Sequence, residues 1–122
     1  MSFEKFHKMR TRPDRKPEIS LQKTGRLGLN GGCLAEFIPD ADFVHLYFDP
    51  KEKLIGLKPL GEKDKDADAY SLIKMRRSRG RFVQAIGFFK HHGIDLGKTR
   101  RFDPRWDDKA GLLVFDLKKP KE

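Results

Sequence analysis

One pattern of residues occurs twice in this chain and limits what the chain can fold into. Residues 23–30 read KTGRLGLN and residues 78–85 read SRGRFVQA, so a Gly-Arg pair precedes an apolar residue in both. Each stretch is followed by a short helical pattern and then by two strand-like runs joined by a turn. A hairpin-based unit of about 45 residues cannot bury its apolar face alone, so two units must share one core.

The spacings within the chain agree with a duplicated β-α-β-β unit. Gly25 and Gly80 are 55 positions apart (80 − 25), and the two Phe-Asp-Pro triplets, which begin at Phe48 and Phe102, are 54 apart (102 − 48). The final strands need an offset of about 58, which an insertion in the second hairpin loop at residues 105–108 would absorb. The alternative is that short strands and such triplets recur by accident.

The domain organisation follows from this duplication. We expect a single domain over residues 18–117, with repeat 1 at about 18–60, a polar linker at 61–69 and repeat 2 at about 70–117. The fold class predicted is mainly β with short helices (α+β), in a compact barrel or sandwich. Helices are expected at residues 31–37 and 85–92, and Asn30 is expected to cap the first of them.

Both ends of the chain are predicted to be disordered. Residues 1–17 form a basic arm that contains two prolines and little apolar content. The basic side chains of this arm that we expect to reach a nucleic acid are Arg10, Arg12, Arg15 and Lys16. At the other end, residues 118–122 read KKPKE, which is typical of a short disordered tail.

The charge balance indicates a polyanionic partner. The 122 residues include 27 Lys and Arg against 18 Asp and Glu, a formal net charge of +9. A surface with this excess carries a positive field that attracts nucleic acid. The single Cys33 cannot form an internal disulfide, and no run approaches the roughly 18 apolar residues of a membrane span. We therefore expect a protein of the cytoplasm, a reducing compartment, with no membrane partner.

The most basic stretch is KMRRSRGR, at residues 74–81. It places five basic side chains within eight residues: Lys74, Arg76, Arg77, Arg79 and Arg81. The planar fork of arginine suits bidentate contacts with phosphate or guanine, and Gly80 is expected to let the backbone approach a ligand. The corresponding stretch of the first unit offers Lys23 and Arg26, so the second unit should dominate binding. The alternative is an edge strand that is charged to prevent pairing between sheets.

No other group of residues predicts catalysis or metal binding. His91 and His92 are adjacent, so their side chains diverge by about 100° on a helix, and a role at the helix end explains them better. Cys33 lies in an apolar stretch and is expected to be a small core residue. We therefore predict no enzymatic activity, no metal site and no cofactor.

The repeated elements resemble a known family. A strand with a Gly-Arg turn, a short helix and a hairpin are similar to the AbrB/SpoVT swapped-hairpin proteins, and two such units in one chain resemble the MraZ variant. The resemblance covers roughly residues 18 to 117 and is carried by Lys23, Gly25, Arg26 and Leu27 and by Gly80, Arg81 and Phe82. It implies a swapped-hairpin fold and a DNA-binding transcription regulator whose turn arginines face DNA.

Together with the basic stretch at residues 74–81, this resemblance implies a transcription regulator that binds duplex DNA in preference to RNA. The residues expected to contact phosphates and base edges are Arg26, Arg76, Arg77, Arg79 and Arg81. Two alternatives remain open: an RNA-binding or RNP-associated protein whose arm folds on its target, and an adaptor that binds a protein partner without nucleic acid. A monomer and a homodimer are both compatible with two units in one chain.

Overall fold

The computed structural model describes residues 16–121, and these residues form a mainly β structure with short helices. The first half of the described chain contains β1 (Ile19–Leu21), β2 (Arg26–Leu29), α1 (Gly31–Phe37), β3 (Phe43–Asp49) and β4 (Leu54–Leu60). A 3-10 turn at Glu62–Asp64 follows. The second half contains β5 (Tyr70–Ser71), β6 (Ile73–Lys74), β7 (Arg81–Gln84), α2 (Ile86–His91), β8 (Arg100–Phe102), β9 (Arg105–Asp107) and β10 (Leu112–Asp116).

The strands form two five-stranded antiparallel sheets. The order in the first sheet is β6-β7-β2-β1-β8, and the order in the second is β5-β3-β4-β10-β9. Each sheet therefore combines strands from before and after the 3-10 turn. The mainly β class and the compact arrangement predicted from the sequence are confirmed.

One hydrophobic core lies between the two sheets. On the first sheet, alternate residues such as Leu27, Leu29 and Val83 are fully buried, and they face Ile55 and the other buried residues of the second sheet. The Phe102 ring of β8 packs 4.9 Å from the Phe115 ring of β10, which joins the sheets directly. Burial of each such side chain contributes roughly 1.5–3 kcal/mol, so this alternation is what holds the sheets together.

Helix α1 begins at the residue that the sequence predicts. The Oδ1 atom of Asn30 accepts hydrogen bonds from the N–H of Cys33 at 2.8 Å and from the N–H of Glu18 at 3.0 Å. Its Nδ2 donates to the carbonyl of Lys16 at 2.7 Å. The predicted cap is confirmed, and it also holds the chain that leads into β1.

Replacement of Asn30 tests this cap. We expect Asn30→Ala to lower the free energy of unfolding by about 1–2 kcal/mol, because two backbone N–H groups lose their acceptor. Asn30→Asp keeps that acceptor and should retain most of the stability. Urea denaturation of both variants checks this, and equal stability of Asn30→Ala and the wild type would contradict the role of the cap.

The second hairpin differs from the prediction. Residues 105–108 were expected to be a loop insertion, but Arg105–Asp107 form β9, and the turn follows it. Phe102 pairs with β1 in the first sheet while Trp106 pairs with β10 in the second, so the chain changes sheets at Pro104, which has no N–H for either ladder. The two Phe-Asp-Pro triplets therefore lie at different structural positions. The first lies at the hairpin turn between β3 and β4, and the second lies between β8 and β9, where the chain changes sheets.

A second change of sheet lies within residues 70–74. β5 pairs with β3 in the second sheet, and β6 pairs with β7 in the first. Leu72 lies between them with its side chain buried and its N–H donating to the carbonyl of Asp42 at 3.0 Å. Leu72 therefore packs in the core at the point where the chain passes from one sheet to the other.

The remaining predictions concern the two ends of the chain, residues 1–17 and 118–122, which were expected to be disordered. Most of the predicted arm, including Arg10, Arg12 and Arg15, lies outside the described residues. Where the sequence predicts a disordered tail, Lys121 N–H donates to the carbonyl of Arg101, and its ammonium lies 2.8 Å from the carboxylate of Glu18. Hydrogen bonds to Glu18 and then to Asp103 raise the pKa of Lys121. Within residues 16–121, no helix has the length and apolar character needed to cross a bilayer.

Candidate nucleic-acid interface

The basic stretch at residues 74–81, which we call the arginine turn, connects β6 to β7. Lys74 pairs with Arg81 at its base, and the N–H of Met75 donates to the carbonyl of Gly80 at 3.1 Å. The hydroxyl of Ser78 accepts from the N–H of Gly80 at 3.1 Å. These bonds close the turn at its base, so its basic side chains project from an ordered hairpin.

Three basic side chains of the arginine turn are exposed and carry uncompensated charge. Lys74, Arg76 and Arg77 are all exposed, and none of them forms an ion pair with a carboxylate of residues 16–121. Arg79 is also exposed and lies at the side of the turn that faces α1. All four side chains lie at the surface of the protein.

Arg81 was expected to contact nucleic acid, and in the structure its guanidinium contacts the protein's own chain. It lies opposite Leu29 in the ladder and so shares the core-facing side of the sheet with that buried residue. Its Nη1 donates to the carbonyl of Ala41 at 3.2 Å and lies 3.7 Å from the carboxylate of Asp42. Arg81 therefore joins the arginine turn to the chain after α1.

Gly80 approaches the protein's own backbone at the position where we expected a ligand. A Cβ atom at Gly80 would lie 2.6 Å from the carbonyl oxygen of Leu29 and 3.4 Å from the Cα of Asn30. Glycine is required here because the turn packs against the end of β2. The arginine turn and the start of α1 are thereby held in contact.

Arg26 lies on the other face of the first sheet. In the ladder Arg26 pairs with Gln84 and Arg81 pairs with Leu29, three residue pairs apart, so the two arginine side chains point to opposite faces. The guanidinium of Arg26 stacks 3.8 Å above the Phe82 ring, and its Nε is buried with no hydrogen-bond partner among the described residues. The repeat pattern suggests that Arg26 and Arg81 lie on one face of the sheet. In the structure they lie on opposite faces.

Lys23 lies far along the sheet from the arginine turn. It is exposed in the turn between β1 and β2, next to the Arg26 end of β2. Because β2 and β7 are antiparallel, this end of β2 adjoins the end of β7 that is remote from the arginine turn. The structure thus separates the predicted site residues into a main cluster at residues 74–79 and a smaller basic region at Lys23 and Arg26.

His92 and His45 each contact other side chains of the protein. The ring of His92 packs 4.8 Å from the rings of Phe48 and Phe88 at the end of α2. His45 Nε2 lies 2.9 Å from the carboxylate of Asp66, and this hydrogen bond is the main cause that lowers the pKa of Asp66. Across residues 16–121, no group of three or more His, Cys, Asp or Glu side chains is placed to hold a metal ion.

Cys33 is a buried residue of α1. Its side chain is fully buried, and burial, followed by the nearby charge of Glu36, raises the pKa of its thiol to about 12. At neutral pH the thiol is therefore protonated and not nucleophilic. The prediction that Cys33 is a small core residue is confirmed.

Two features of this region have no local signal in the sequence. The stack of Arg26 on Phe82 joins residues 56 positions apart, and the bond from Arg81 to Ala41 joins residues 40 apart.

Comparison with known protein families, characterised proteins and solved structures finds no match to this chain. The function is therefore inferred from the geometry and charge of the site.

Proposed function

We propose that this protein binds duplex DNA through the arginine turn and acts as a transcription regulator. The observation that carries the proposal is the exposure of Lys74, Arg76 and Arg77 on one hairpin turn, without ion pairs to the carboxylates of the described chain. Cations that are not neutralised within the protein are available to replace the counterions condensed on DNA.

The shape of the arginine turn also suits this role. β6 and β7 pair over two residues at one edge of the first sheet, and the turn that joins them carries the basic side chains. A hairpin turn at a sheet edge can approach the DNA backbone and the groove beside it. Arg76 and Arg77, within this turn, are the residues we assign to phosphate and base-edge contacts, and the basic region at Lys23 and Arg26 is assigned a secondary role.

We also propose that the chain consists of two interleaved copies of one β-α-β-β unit, in the swapped-hairpin arrangement of the AbrB and MraZ proteins. The interleaving of both sheets supports this, because each takes strands from residues 18–60 and from 70–117. Buried residues also recur at a regular offset of 56 positions (83 − 27) around β2 and β7. These pairs are Leu27 with Val83, Leu29 with Ala85 and Cys33 with Phe89.

The even offset has a geometric cause. Side chains alternate between the two faces of a strand, so an offset of 55 between the paired strands β2 and β7 would exchange their buried and exposed faces. An offset of 56 preserves them, and β4 and β10 show the equivalent relation at 58 positions (113 − 55), with Ile55 matching Leu113. The Gly-Arg pairs are thus one position out of step with the buried residues, and Arg26 and Arg81 differ in orientation for this reason.

This function places the protein with DNA in the reducing interior of the cell, without an enzymatic role or a cofactor. In a homodimer the two arginine turns would be related by a two-fold axis and would contact two half-sites. A pseudo-palindromic target follows from that symmetry.

The first test is the salt dependence of binding. Nuclease-treated protein is titrated into a labelled random-sequence duplex and a labelled RNA hairpin, and fluorescence anisotropy is followed from about 50 to 300 mM salt. Three phosphate contacts give a slope near −2.7 in a plot of log affinity against log salt, so duplex affinity should fall by about 100-fold over this range.

The outcomes of this titration separate the candidate functions. Tighter binding to the duplex than to the hairpin, with the steep slope, supports the regulator. Tighter binding to the hairpin selects the RNA-binding alternative. Absence of binding to either at about 50 mM salt overturns the proposal and leaves the arginine turn with the role of a charged sheet edge.

A further inference from the structure

The outer face of the first sheet, the side away from the core, carries apolar surface beside the arginine turn. In the ladder Gly28 of β2 pairs with Phe82 of β7, and Phe82 pairs with Ile73 of β6, so these residues form one row across the sheet. Ile73 is 44% exposed, and Phe82 is half-buried. Met75 lies over the same row, because a Cβ atom at Gly28 would be 3.2 Å from the Cε of Met75. Part of this apolar row is therefore open to a ligand.

Arg26 lies next to this row with its charge unpaired. Its guanidinium stacks 3.8 Å above the Phe82 ring, which orients the plane of the group. Within residues 16–121 Arg26 forms no ion pair, and its buried Nε has no hydrogen-bond partner. A buried N–H donor without an acceptor is destabilising, so an acceptor supplied by a ligand would stabilise this arrangement. The residue as a whole is only half-buried, which leaves part of it accessible.

The charges of this face favour an anionic partner. The strand residues that point outward from the first sheet include two arginines, Arg26 and Arg101, and no carboxylate. Glu18, which precedes β1, lies 3.8 Å from Arg101, but its carboxylate also bonds the ammonium of Lys121 at 2.8 Å. The arginine turn, at the edge of the same sheet, adds further positive charge. A polyanion that crosses this face meets an excess of cations.

The outer face of the second sheet also exposes a large side chain, but its charges disfavour a polyanion. Tyr47 of β3 is 44% exposed there. Charged strand residues of both signs share this face with Tyr47, namely Lys58, Arg105, Asp49, Asp107 and Asp116. The carboxylates outnumber the cations and repel phosphates, so the first sheet is the better surface for a nucleic acid.

We propose that the outer face of the first sheet binds single-stranded DNA, with an unpaired base packed on Ile73 and Phe82 and with Arg26 donating a hydrogen bond to a carbonyl oxygen of that base. Proteins that bind single strands combine a surface on which bases pack with positive charge along the backbone. The bases of a duplex are stacked on one another and do not offer their flat faces to a sheet, so this site is distinct from the duplex contacts. The choice of DNA rests on the function proposed for the arginine turn.

The test compares two labelled oligomers of about 10 nucleotides, oligothymidylate and an abasic DNA with the same sugar-phosphate backbone. Fluorescence anisotropy at about 100 mM salt gives the affinity of the full-length chain for each. We expect oligothymidylate to bind about tenfold or more tightly than the abasic oligomer, because only the former has bases to pack on the sheet.

The ratio of the two affinities isolates the contacts with bases. Phosphate contacts, including any made by the arginine turn, are common to both oligomers and cancel, so failure of this ratio and failure of duplex binding are separate results. Equal affinities, or no binding of either oligomer, would overturn the proposal. Tighter binding of oligouridylate, the RNA counterpart, than of oligothymidylate would overturn the assignment to DNA.

Matched variants locate the binding site. Ile73→Ser removes apolar surface from the first sheet, and Tyr47→Ser removes an equally exposed side chain, also 44%, from the second. Arg26→Lys keeps the charge but loses the planar group that stacks on Phe82, and Arg105→Lys makes the same change on β9. Circular dichroism and a thermal melt confirm that each variant is folded.

We expect Ile73→Ser and Arg26→Lys each to lower the ratio of oligothymidylate affinity to abasic affinity by about fivefold or more, since each removes a contact with the base. The two control variants should keep this ratio within about twofold of the wild type, as expected of exposed positions outside the site. Equal ratios for Ile73→Ser and Tyr47→Ser, or for Arg26→Lys and Arg105→Lys, would show that the bases pack elsewhere and would overturn the proposal.

Discussion

Arg76→Glu combined with Arg77→Glu is expected to weaken binding to duplex DNA by about 100-fold or more at about 100 mM salt. Each arginine that contacts a phosphate contributes a charge-assisted hydrogen bond of about 1.5–3 kcal/mol, and the new carboxylates repel the phosphates. The salt slope should also become shallower by about two units, one for each lost phosphate contact. Fluorescence anisotropy at several salt concentrations measures both quantities.

The choice of these two residues follows from their environment. Arg76 and Arg77 are exposed and form no ion pair with the carboxylates of residues 16–121, so their replacement should leave the thermal unfolding midpoint unchanged within a few degrees. Arg81 is a poorer target, because its loss would also break the bond to the Ala41 carbonyl. A loss of DNA affinity in an Arg81 variant would therefore not distinguish binding from folding.

A matched control separates local contacts from total charge. Arg105→Glu combined with Lys109→Glu changes the net charge by the same amount, on and next to β9 at the edge of the second sheet remote from β5. This variant should lose far less affinity, since charges beyond about 10 Å are largely screened at 0.1 M salt. Equal losses in the two double variants would contradict the assignment of DNA binding to the arginine turn.

Gly25→Ala is expected to lower the free energy of unfolding by about 3 kcal/mol. The backbone at Gly25 has φ +84°, a conformation that costs a residue with a side chain roughly 1–2 kcal/mol. In addition, a Cβ atom there would lie 2.4 Å from the Cβ and 2.6 Å from the Cα of Ile86, at the first residue of α2. Because backbone must move to relieve this contact, overpacking adds about 1–3 kcal/mol.

Gly93→Ala is the control for the backbone conformation alone. Gly93 has φ +66°, and a Cβ atom added there meets no atom within 4 Å. This variant should lose only about 1 kcal/mol, so the difference between the two variants measures the contact with α2. Urea denaturation with a common m-value gives both free energies. Equal losses would mean that the packing of the β1–β2 turn on α2 contributes nothing.

This pair of variants bears on the meaning of the recurring Gly-Arg pattern. Gly25 packs against the start of α2, and Gly80 packs against the end of β2 just before α1. In each case the glycine allows a turn of one part of the chain to approach the beginning of the other part's helix. The recurrence of glycine is therefore explained by packing, while the proposed nucleic-acid contacts come from the arginines beside Gly80.

Features that depend on neighbouring residues could be predicted from the sequence. The start of α1 follows from Asn30, whose side chain reaches an N–H three residues away. The burial of Leu27 and Leu29 follows from their alternation with polar and small residues. The exposure of Arg76 and Arg77 follows from a run too rich in charge to be buried.

The sequence did not predict which strands pair with one another, and the orientation of several site residues depends on that pairing. The separation of Arg26 from Arg81 across the sheet and the change of sheet at Pro104 both follow from the β2–β7 and β8–β1 pairings. Such pairings are set by how the whole core fills its volume, because antiparallel ladders of different register have similar backbone hydrogen bonds. A local pattern predicts which face of a strand is apolar. The partner strand and the register, which determine where each arginine lies, depend on how the whole core packs.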